Sequence, residues 1–207
     1  MATIFRCLGG KKRKWEEVLM DYALMLALYA QLKGQGVLVP VSQTDRPLAA
    51  IACVDPRYRR TLEEQFSRVA KKGNYLGVLP WKGGAIRLSD EHEKSTLYLD
   101  SSAVWISDLA SLFGAGGMDV FLLTHGPDCK HAEHESLTQA QVFEAVVRGG
   151  LRLAVKQTEG RIAADVRFRH GILIDYKDGR HELLEIVDWR RAISELEAAS
   201  RQAVGAH

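Results

Sequence analysis

The chain of 207 residues has few cysteines, no long apolar run and almost no excess of charge of one sign. Three cysteines are a small and odd number, which argues against a disulfide scaffold and favours a reducing compartment. The longest uncharged apolar run covers residues 22–30, well short of the roughly 18 residues that a membrane span needs. Because 28 basic side chains nearly balance 26 acidic ones, we expect neither nucleic acid nor a membrane as a partner.

The first residues of the chain predict neither secretion nor lipid attachment. Residues 1–6 do not have the layout of a secretory signal peptide, and Ala2 excludes N-myristoylation, so we expect a cytoplasmic protein. A hydrophobic fraction of 46% and a charged fraction of 26% are typical of a globular chain, and the length suits one domain. We predict a single α/β domain over residues 1–207, with a helical arm at 1–36, a core at 37–187 and a C-terminal helix at 188–207.

Residues 15–32 form the first predicted helix, which is apolar on most sides. Such a helix is usually buried, either against its own domain or against a second subunit. The following stretch Val37–Val41 is rich in β-forming residues, although Pro40 argues against a central strand.

Two later segments share one pattern, in which a short apolar run is followed by a helix. Leu48–Cys53 and Val120–Thr124 are continuous apolar runs, as in strands that are covered on both faces. The helix after the second run is predicted to start at Ser136, with Gln139 in capping-box register. The apolar positions of the helix after the first run have helical spacing and are Leu62, Phe66, Val69 and Ala70.

The remaining segments continue the alternation of strands and helices. The further predicted elements are a strand at Tyr75–Leu79, a turn at Gly83–Gly84, a helix near Ser102–Phe113, a hairpin around Lys177–Gly179 and a helix from Asp188. This order predicts an α/β fold with a largely parallel central sheet flanked by helices, with an antiparallel strand at the edge. Right-handed crossovers would place the turns after the two apolar strands at the same end of the sheet.

The residues with the most distinctive chemistry follow these two strands directly. The first strand runs into Cys53, Asp55 and Arg57, and the second runs into His125 and Cys129. Sites in open α/β sheets form beyond the carboxyl ends of the strands, so we expect both segments in one crevice. Two cysteines and a histidine can hold zinc with one position left for water, and thiolates favour zinc over magnesium or calcium. We therefore predict that Cys53, His125 and Cys129 bind Zn²⁺ as a cofactor.

Asp55 and Arg57 suit the neighbourhood of such an ion. Two thiolates cancel its charge, so its water is less acidic than at a three-histidine site and an accessory group becomes useful. Asp55 could accept a hydrogen bond from that water, and a bidentate contact from Arg57 could hold the carboxylate in place and ionised.

The two motifs resemble those of the β-class carbonic anhydrases, with Cys-x-Asp-x-Arg after one strand and a histidine followed by a cysteine after a later one. The resemblance covers about residues 48–187, and only these two motifs are specific. It implies that Cys53, His125 and Cys129 bind zinc, and that Asp55 and Arg57 order the nucleophile or, in a closed state, let Asp55 displace the water. It also implies the family's fold, hydration of carbon dioxide to bicarbonate, and a homodimer or dimer-based oligomer.

The chain departs from the family pattern at two places. Three residues separate His125 from Cys129, where the family usually has two. Pro80-Trp81-Lys82 stands where the family usually has an arginine–asparagine pair, which changes a wall near the site. Two alternatives to carbon dioxide hydration stay open. One is hydrolysis of carbonyl sulfide or carbon disulfide on the same scaffold, and the other is a zinc-binding regulatory protein without turnover.

The site residues also have simpler interpretations. Cys53 and Cys129 could form a redox pair or be small buried hydrophobic side chains. Asp55 and Arg57 could be an ordinary surface ion pair.

The other residues that stand out in the sequence favour simpler roles. His131 and His134 are expected to be solvated loop histidines, with a proton shuttle as the alternative. Trp81 is expected to pack in the fold rather than line a pocket. The basic run at residues 11–14 favours a solvated surface over a localisation or anion-binding patch, and Cys7 has no assigned role.

Overall fold

Strands and helices alternate along the computed structural model, which describes residues 15–53, 55–89, 93–113, 116–126, 129–135, 137–176 and 178–205. The α-helices of these residues are α1 (Trp15–Gly34), α2 (Pro56–Val69), α3 (Glu93–Phe113), α4 (Lys130–His134), α5 (Gln139–Thr158) and α6 (Trp189–Gly205). The strands are β1 (Leu38–Pro40), β2 (Leu48–Cys53), β3 (Tyr75–Trp81), β4 (Met118–Gly126), β5 (Val166–Asp175) and β6 (His181–Ile186). Cys7 and the basic run at 11–14 lie outside the described residues, so the predictions about them stay predictions.

Within the described residues, one sheet has the strand order β1-β6-β5-β4-β2-β3. β3, β2, β4 and β5 run parallel to one another, whereas β6 is antiparallel to both β5 and β1. This topology confirms the predicted α/β fold with a largely parallel sheet flanked by helices. β1 forms one edge of the sheet, where Pro40 is tolerated because an edge strand can leave one side of its backbone unpaired.

The helices cover the two faces of the sheet unequally. The larger apolar cluster lies on one face, where α1, α3, α5 and α6 contribute side chains such as Leu32, Ile106, Phe143 and Leu196. The smaller cluster lies on the other face, where α2 contributes most of the helical side chains. All nine residues of β4 are buried, as expected for a strand that lies between two layers. Among the described residues, no helix combines the length and hydropathy that crossing a bilayer requires.

An ion-pair cluster around a buried carboxylate occupies the amino-terminal end of β4. The Asp119 carboxylate is fully buried and accepts a hydrogen bond from Thr44 Oγ1 at 3.3 Å. Guanidinium nitrogens of Arg46, Arg167 and Arg169 approach it at 3.0, 2.9 and 3.4 Å, respectively. Because these arginines come from the loop before β2 and from β5, the cluster ties together the segments at this end of the sheet.

Two predicted helix boundaries are wrong. The helix after β4 does not start at Ser136: α5 begins at Gln139, and Thr138 is its N-cap. Thr138 and Gln141 form the reciprocal capping box, with Gln141 N–H donating to Thr138 Oγ1 and Thr138 N–H donating to Gln141 Oε1. The helix predicted near Ser102 begins earlier, at Glu93, so α3 is longer than its sequence pattern indicated.

Candidate metal centre

Three potential metal ligands meet at the carboxyl end of the parallel sheet. Cys53 is the last residue of β2, His125 lies near the end of the neighbouring strand β4, and Cys129 directly precedes α4. β2 and β4 are adjacent and parallel, so both strands deliver the residues that follow them to the same edge. One donor atom from each residue lies within 4.8 Å of the other two, so the predicted convergence is confirmed.

The donor set fits a tetrahedral metal ion. Zinc bonds of about 2.0–2.3 Å place tetrahedral ligand atoms about 3.5–3.8 Å apart, so the three side chains need to close by only about 1 Å. Cys53 and Cys129 are unbridged cysteines. Two sulfurs and an imidazole nitrogen would fill three of the four positions of a tetrahedral ion. Cys53 is the least buried of the three residues. These residues are therefore a candidate metal centre with room for one more ligand.

Backbone N–H groups donate to both sulfurs. The Asp55 amide donates to the sulfur of Cys53, and the His131 and Ala132 amides donate to the sulfur of Cys129 at the start of α4. Such bonds favour the thiolate form, which is the form that binds metal. The Cys129 thiol also donates to Cys53 and lowers the pKa of Cys53, whereas its sulfur neighbour and burial raise the pKa of Cys129.

Asp55 and Arg57 form a closely bonded pair beside Cys53. Asp55 caps the N-terminus of α2, and its Oδ1 accepts from the Arg57 amide at 3.1 Å. The Arg57 side chain donates from Nε to Oδ1 at 3.0 Å and from Nη2 to Oδ2 at 2.6 Å. These hydrogen bonds hold the pKa of Asp55 below its ordinary value, so the carboxylate is ionised at neutral pH. In this arrangement the carboxylate lies outside the group of three donor atoms identified among the described residues.

Tyr58 contacts the candidate ligand His125 and is a site residue that the sequence analysis did not identify. Its ring centroid lies 4.4 Å from that of His125, with an angle of 38° between the ring planes. Its hydroxyl donates to Asp175 Oδ2 at 3.2 Å, across to the end of β5. No pattern in the sequence marks Tyr58, because its contact with His125 depends on how α2 and the β5–β6 hairpin pack.

The prediction that His131 is a solvated loop histidine is wrong. His131 lies in α4, is 3% exposed and packs against the Gly83–Gly84 turn. A Cβ on Gly83 would come within 2.0 Å of the His131 ring. Burial lowers the pKa of His131, so its ring is mostly neutral at neutral pH. The side chain of His134 lies outside the described residues.

The Gly83–Gly84 turn packs against the backbone at the ends of β2 and β4. Gly84 has a φ of +60°, and a Cβ there would lie 2.7 Å from the Cys53 amide nitrogen and 2.6 Å from the Leu123 carbonyl oxygen. Only glycine fits this position without displacing backbone atoms next to a candidate ligand.

Trp81 both packs in the fold and stands beside a candidate ligand. It is the register partner of Cys53, so both side chains leave the same face of the sheet. Its indole Nε1 donates to Ser102 Oγ at 2.9 Å, and its ring meets that of Tyr98 edge-on at 4.8 Å between centroids. These contacts agree with the expected packing role and also place an aromatic wall next to Cys53.

No family model, curated protein or solved structure was found to match this chain. Its fold and its ligand geometry define an α/β protein with a candidate metal centre of two cysteines and one histidine.

Proposed function

We propose that the protein is a zinc-dependent enzyme that hydrates carbon dioxide to bicarbonate. The observation that carries the proposal is the convergence of Cys53, His125 and Cys129 within 4.8 Å of one another, at the end of the sheet where Asp55 and Arg57 lie. A non-enzymatic zinc site usually has four protein ligands, whereas three ligands beside an oriented carboxylate are typical of catalysis.

Zinc is the metal that this donor set favours. Two thiolates and an imidazole are soft or borderline ligands that suit zinc better than calcium or magnesium. When bound, zinc supplies the Lewis acidity that makes water a nucleophile near neutral pH. The residues 48–187 also resemble the β-class carbonic anhydrases in the two motifs, and this resemblance further supports the proposal and implies a homodimer.

Asp55 and Arg57 supply the orientation that the reaction needs. The ionised Asp55 carboxylate accepts a hydrogen bond from the attacking water and aims its lone pair at the carbon of carbon dioxide. Arg57 donates to both carboxylate oxygens, so it fixes the direction of Asp55 and keeps it in its ionised form. Because Arg57 engages the carboxylate, Asp55 acts as a hydrogen-bond acceptor and not as a fourth ligand in this arrangement.

Hydrolysis of carbonyl sulfide or carbon disulfide is the second candidate, and Trp81 favours it. The indole beside Cys53 forms an apolar wall on the side where the family usually has polar residues. Sulfur-containing substrates are larger and more polarisable than carbon dioxide, and they would gain more from an aromatic contact. The nucleophile and the roles of Asp55 and Arg57 would be the same.

Metal analysis combined with rapid kinetics tests the proposal. Protein purified without added metal is expected to contain about one zinc ion per chain, and Cys53→Ser to contain almost none. Stopped-flow assays with carbon dioxide, carbonyl sulfide and carbon disulfide then identify the substrate. Retained zinc with no turnover of any of the three from roughly pH 7 to 9 would instead favour a regulatory zinc protein.

A further inference from the structure

The ring of Tyr58 contacts both a candidate metal ligand and the arginine of the Asp55–Arg57 pair. Tyr58 is 2% exposed, and its ring meets the His125 ring at 4.4 Å between centroids. The guanidinium carbon of Arg57 lies 5.0 Å from the centroid of the same ring. One aromatic side chain therefore restricts the movement of both functional groups.

The hydroxyl of Tyr58 is held from the far side by the β5–β6 hairpin. It donates to Asp175 Oδ2 at 3.2 Å, and Asp175 is the last residue of β5. His181, the first residue of β6, places Nε2 3.7 Å from Asp175 Oδ1, and its ring meets that of Tyr58 edge-on. The Tyr22 hydroxyl of α1 donates to the Asp175 backbone carbonyl. The anchor of Tyr58 thus comes from three elements, β5, β6 and α1, that carry no candidate ligand.

We infer that Tyr58 is a positioning residue of the metal centre, and that Asp175 fixes it. Side chains that orient a ligand imidazole tune metal affinity, and loss of such a partner typically weakens binding 10–100-fold. Here the orientation comes from ring contact, because the Tyr58 ring limits rotation of His125 about its side-chain bonds. The same ring also packs against the guanidinium of Arg57, which donates to the Asp55 carboxylate. The inference rests on the proposed metal centre but not on carbon dioxide as the substrate.

Variants of Tyr58 separate the ring contact from the hydroxyl anchor. Tyr58→Leu removes both and is expected to weaken zinc binding about 10–100-fold in competition with a chelator. Tyr58→Phe keeps the ring but loses the bond to Asp175, so we expect a smaller loss of affinity in the same direction. Asp175→Asn retains an oxygen that can accept from Tyr58, so we expect it to bind zinc nearly as well as the parent protein. Asp175→Ala removes this acceptor, so we expect it to lose as much zinc affinity as Tyr58→Phe.

Tyr75→Phe is the matched control. Tyr75 is register partner to Leu48 at the far end of β3, and its buried hydroxyl has no hydrogen-bond partner among the described residues. The cobalt(II)-substituted proteins give a readout that a purely structural role would not change. We expect the visible ligand-field and thiolate charge-transfer bands to shift in both Tyr58 variants and to stay unchanged in Tyr75→Phe.

The outcomes distinguish this inference from the proposed function. Zinc affinity and cobalt spectra of folded Tyr58→Phe and Tyr58→Leu equal to those of the parent would overturn the role of Tyr58. If circular dichroism shows that Tyr58→Leu does not fold, then Tyr58→Phe, Asp175→Asn and Asp175→Ala test the role of Tyr58 instead. A parent protein that holds zinc, responds to these substitutions and does not turn over carbon dioxide supports the inference while it refutes the proposed reaction. A parent protein that binds neither zinc nor cobalt overturns both.

Discussion

Asp55 carries the most specific functional expectation at the scale of single residues. Under the proposed function, Asp55→Ala removes the acceptor that would orient the attacking water, but it leaves the three donor atoms in place. We expect zinc content near that of the parent and a fall in kcat/KM of at least about 100-fold, which is the usual size of a lost orienting group. Metal analysis and stopped-flow hydration on the same preparation measure both quantities.

The chain offers a matched control for this substitution. Asp178 and Arg180 repeat the same Asp-x-Arg geometry in an exposed turn, with Arg180 N–H donating to Asp178 Oδ1 at 3.0 Å and Arg180 Nε donating to Oδ2 at 2.7 Å. Asp178→Ala should leave turnover unchanged. Loss of zinc in Asp55→Ala would show that the carboxylate supports the metal and does not merely orient the water.

His170 should make the stability of the protein depend on pH. Its Nε2 is buried without a hydrogen-bond partner among the described residues, and burial lowers the pKa of His170 below the ordinary value of 6.5. The unfolded chain therefore takes up a proton near pH 6.5 while the folded chain does not, so the free energy of unfolding decreases as the pH falls through this value. Urea unfolding of metal-free protein at about pH 7.5 and about pH 5.5, one value above and one below the ordinary histidine pKa, measures the decrease in the free energy of unfolding.

His170→Gln tests the assignment, because glutamine does not titrate. The variant should lose part of the pH dependence, whatever its stability at neutral pH. An identical change between the two pH values in parent and variant would assign the effect to other groups, such as the buried His131.

The residue types and the expected parallel direction of the strands were sufficient to predict that Cys53, His125 and Cys129 meet. Cys53 and His125 follow apolar runs, and parallel strands bring such positions to one edge. The burial of His131 and the contact of Tyr58 with His125 could not be predicted. Both depend on how α4 and the β5–β6 hairpin pack, and no local pattern in the sequence records that packing.

At the scale of elements, the start of the 3₁₀ helix after β3 (Gly84–Leu88) should affect both the free energy of unfolding and binding at the candidate metal centre. Gly84→Ala combines a positive φ with a Cβ 2.7 Å from the Cys53 amide nitrogen. We expect a loss of about 2–4 kcal/mol in the free energy of unfolding, from backbone strain and overpacking together, and weaker zinc binding. Urea unfolding and chelator competition are the measurements.

Gly73→Ala isolates the contribution of backbone strain. Gly73 also has a positive φ, of +89°, but a Cβ there has nothing within 4 Å. The control should lose only about 1–2 kcal/mol and keep its zinc affinity. Equal losses in the two variants would mean that the close approach to Cys53 is relieved by small backbone shifts.

The start of α5 shows why an element boundary can be misplaced. Ser136 with Gln139 and Thr138 with Gln141 both match the capping-box spacing. The structure uses the second pair, and α5 begins just after the short helix α4, which ends at His134. Spacing alone does not choose between two overlapping caps.

At the scale of the whole molecule, the ion pairs of Asp119 and the candidate metal centre lie at opposite ends of the sheet, so we expect the ion pairs to affect stability without affecting metal binding. Asp119 and His125 lie at opposite ends of β4, roughly 20 Å apart at 3.3 Å per residue. Asp119→Asn leaves three arginines around a neutral side chain, so it should lower the free energy of unfolding by about 3 kcal/mol. Zinc stoichiometry of the folded fraction should not change.

Glu63→Gln provides the comparison for the Asp119 substitution. Glu63 pairs with Arg59 on the exposed side of α2, where an ion pair contributes less than about 0.5 kcal/mol. Urea unfolding of both variants in excess chelator keeps metal binding out of the comparison. A small change in the free energy of unfolding for both variants would mean that water solvates the three arginines well enough to replace the carboxylate of Asp119.

Strand β4 also fixes the number of residues that can separate Asp119 from His125. Asp119 and His125 are an even number of residues apart, so their side chains leave the same face of the sheet, towards α2. Insertion or deletion of a single residue between them would rotate one of the two to the opposite side and separate it from its contacts. Distant relatives should therefore conserve this interval even where their residue identities have diverged, and the interval can serve as a search criterion alongside the cysteine motifs.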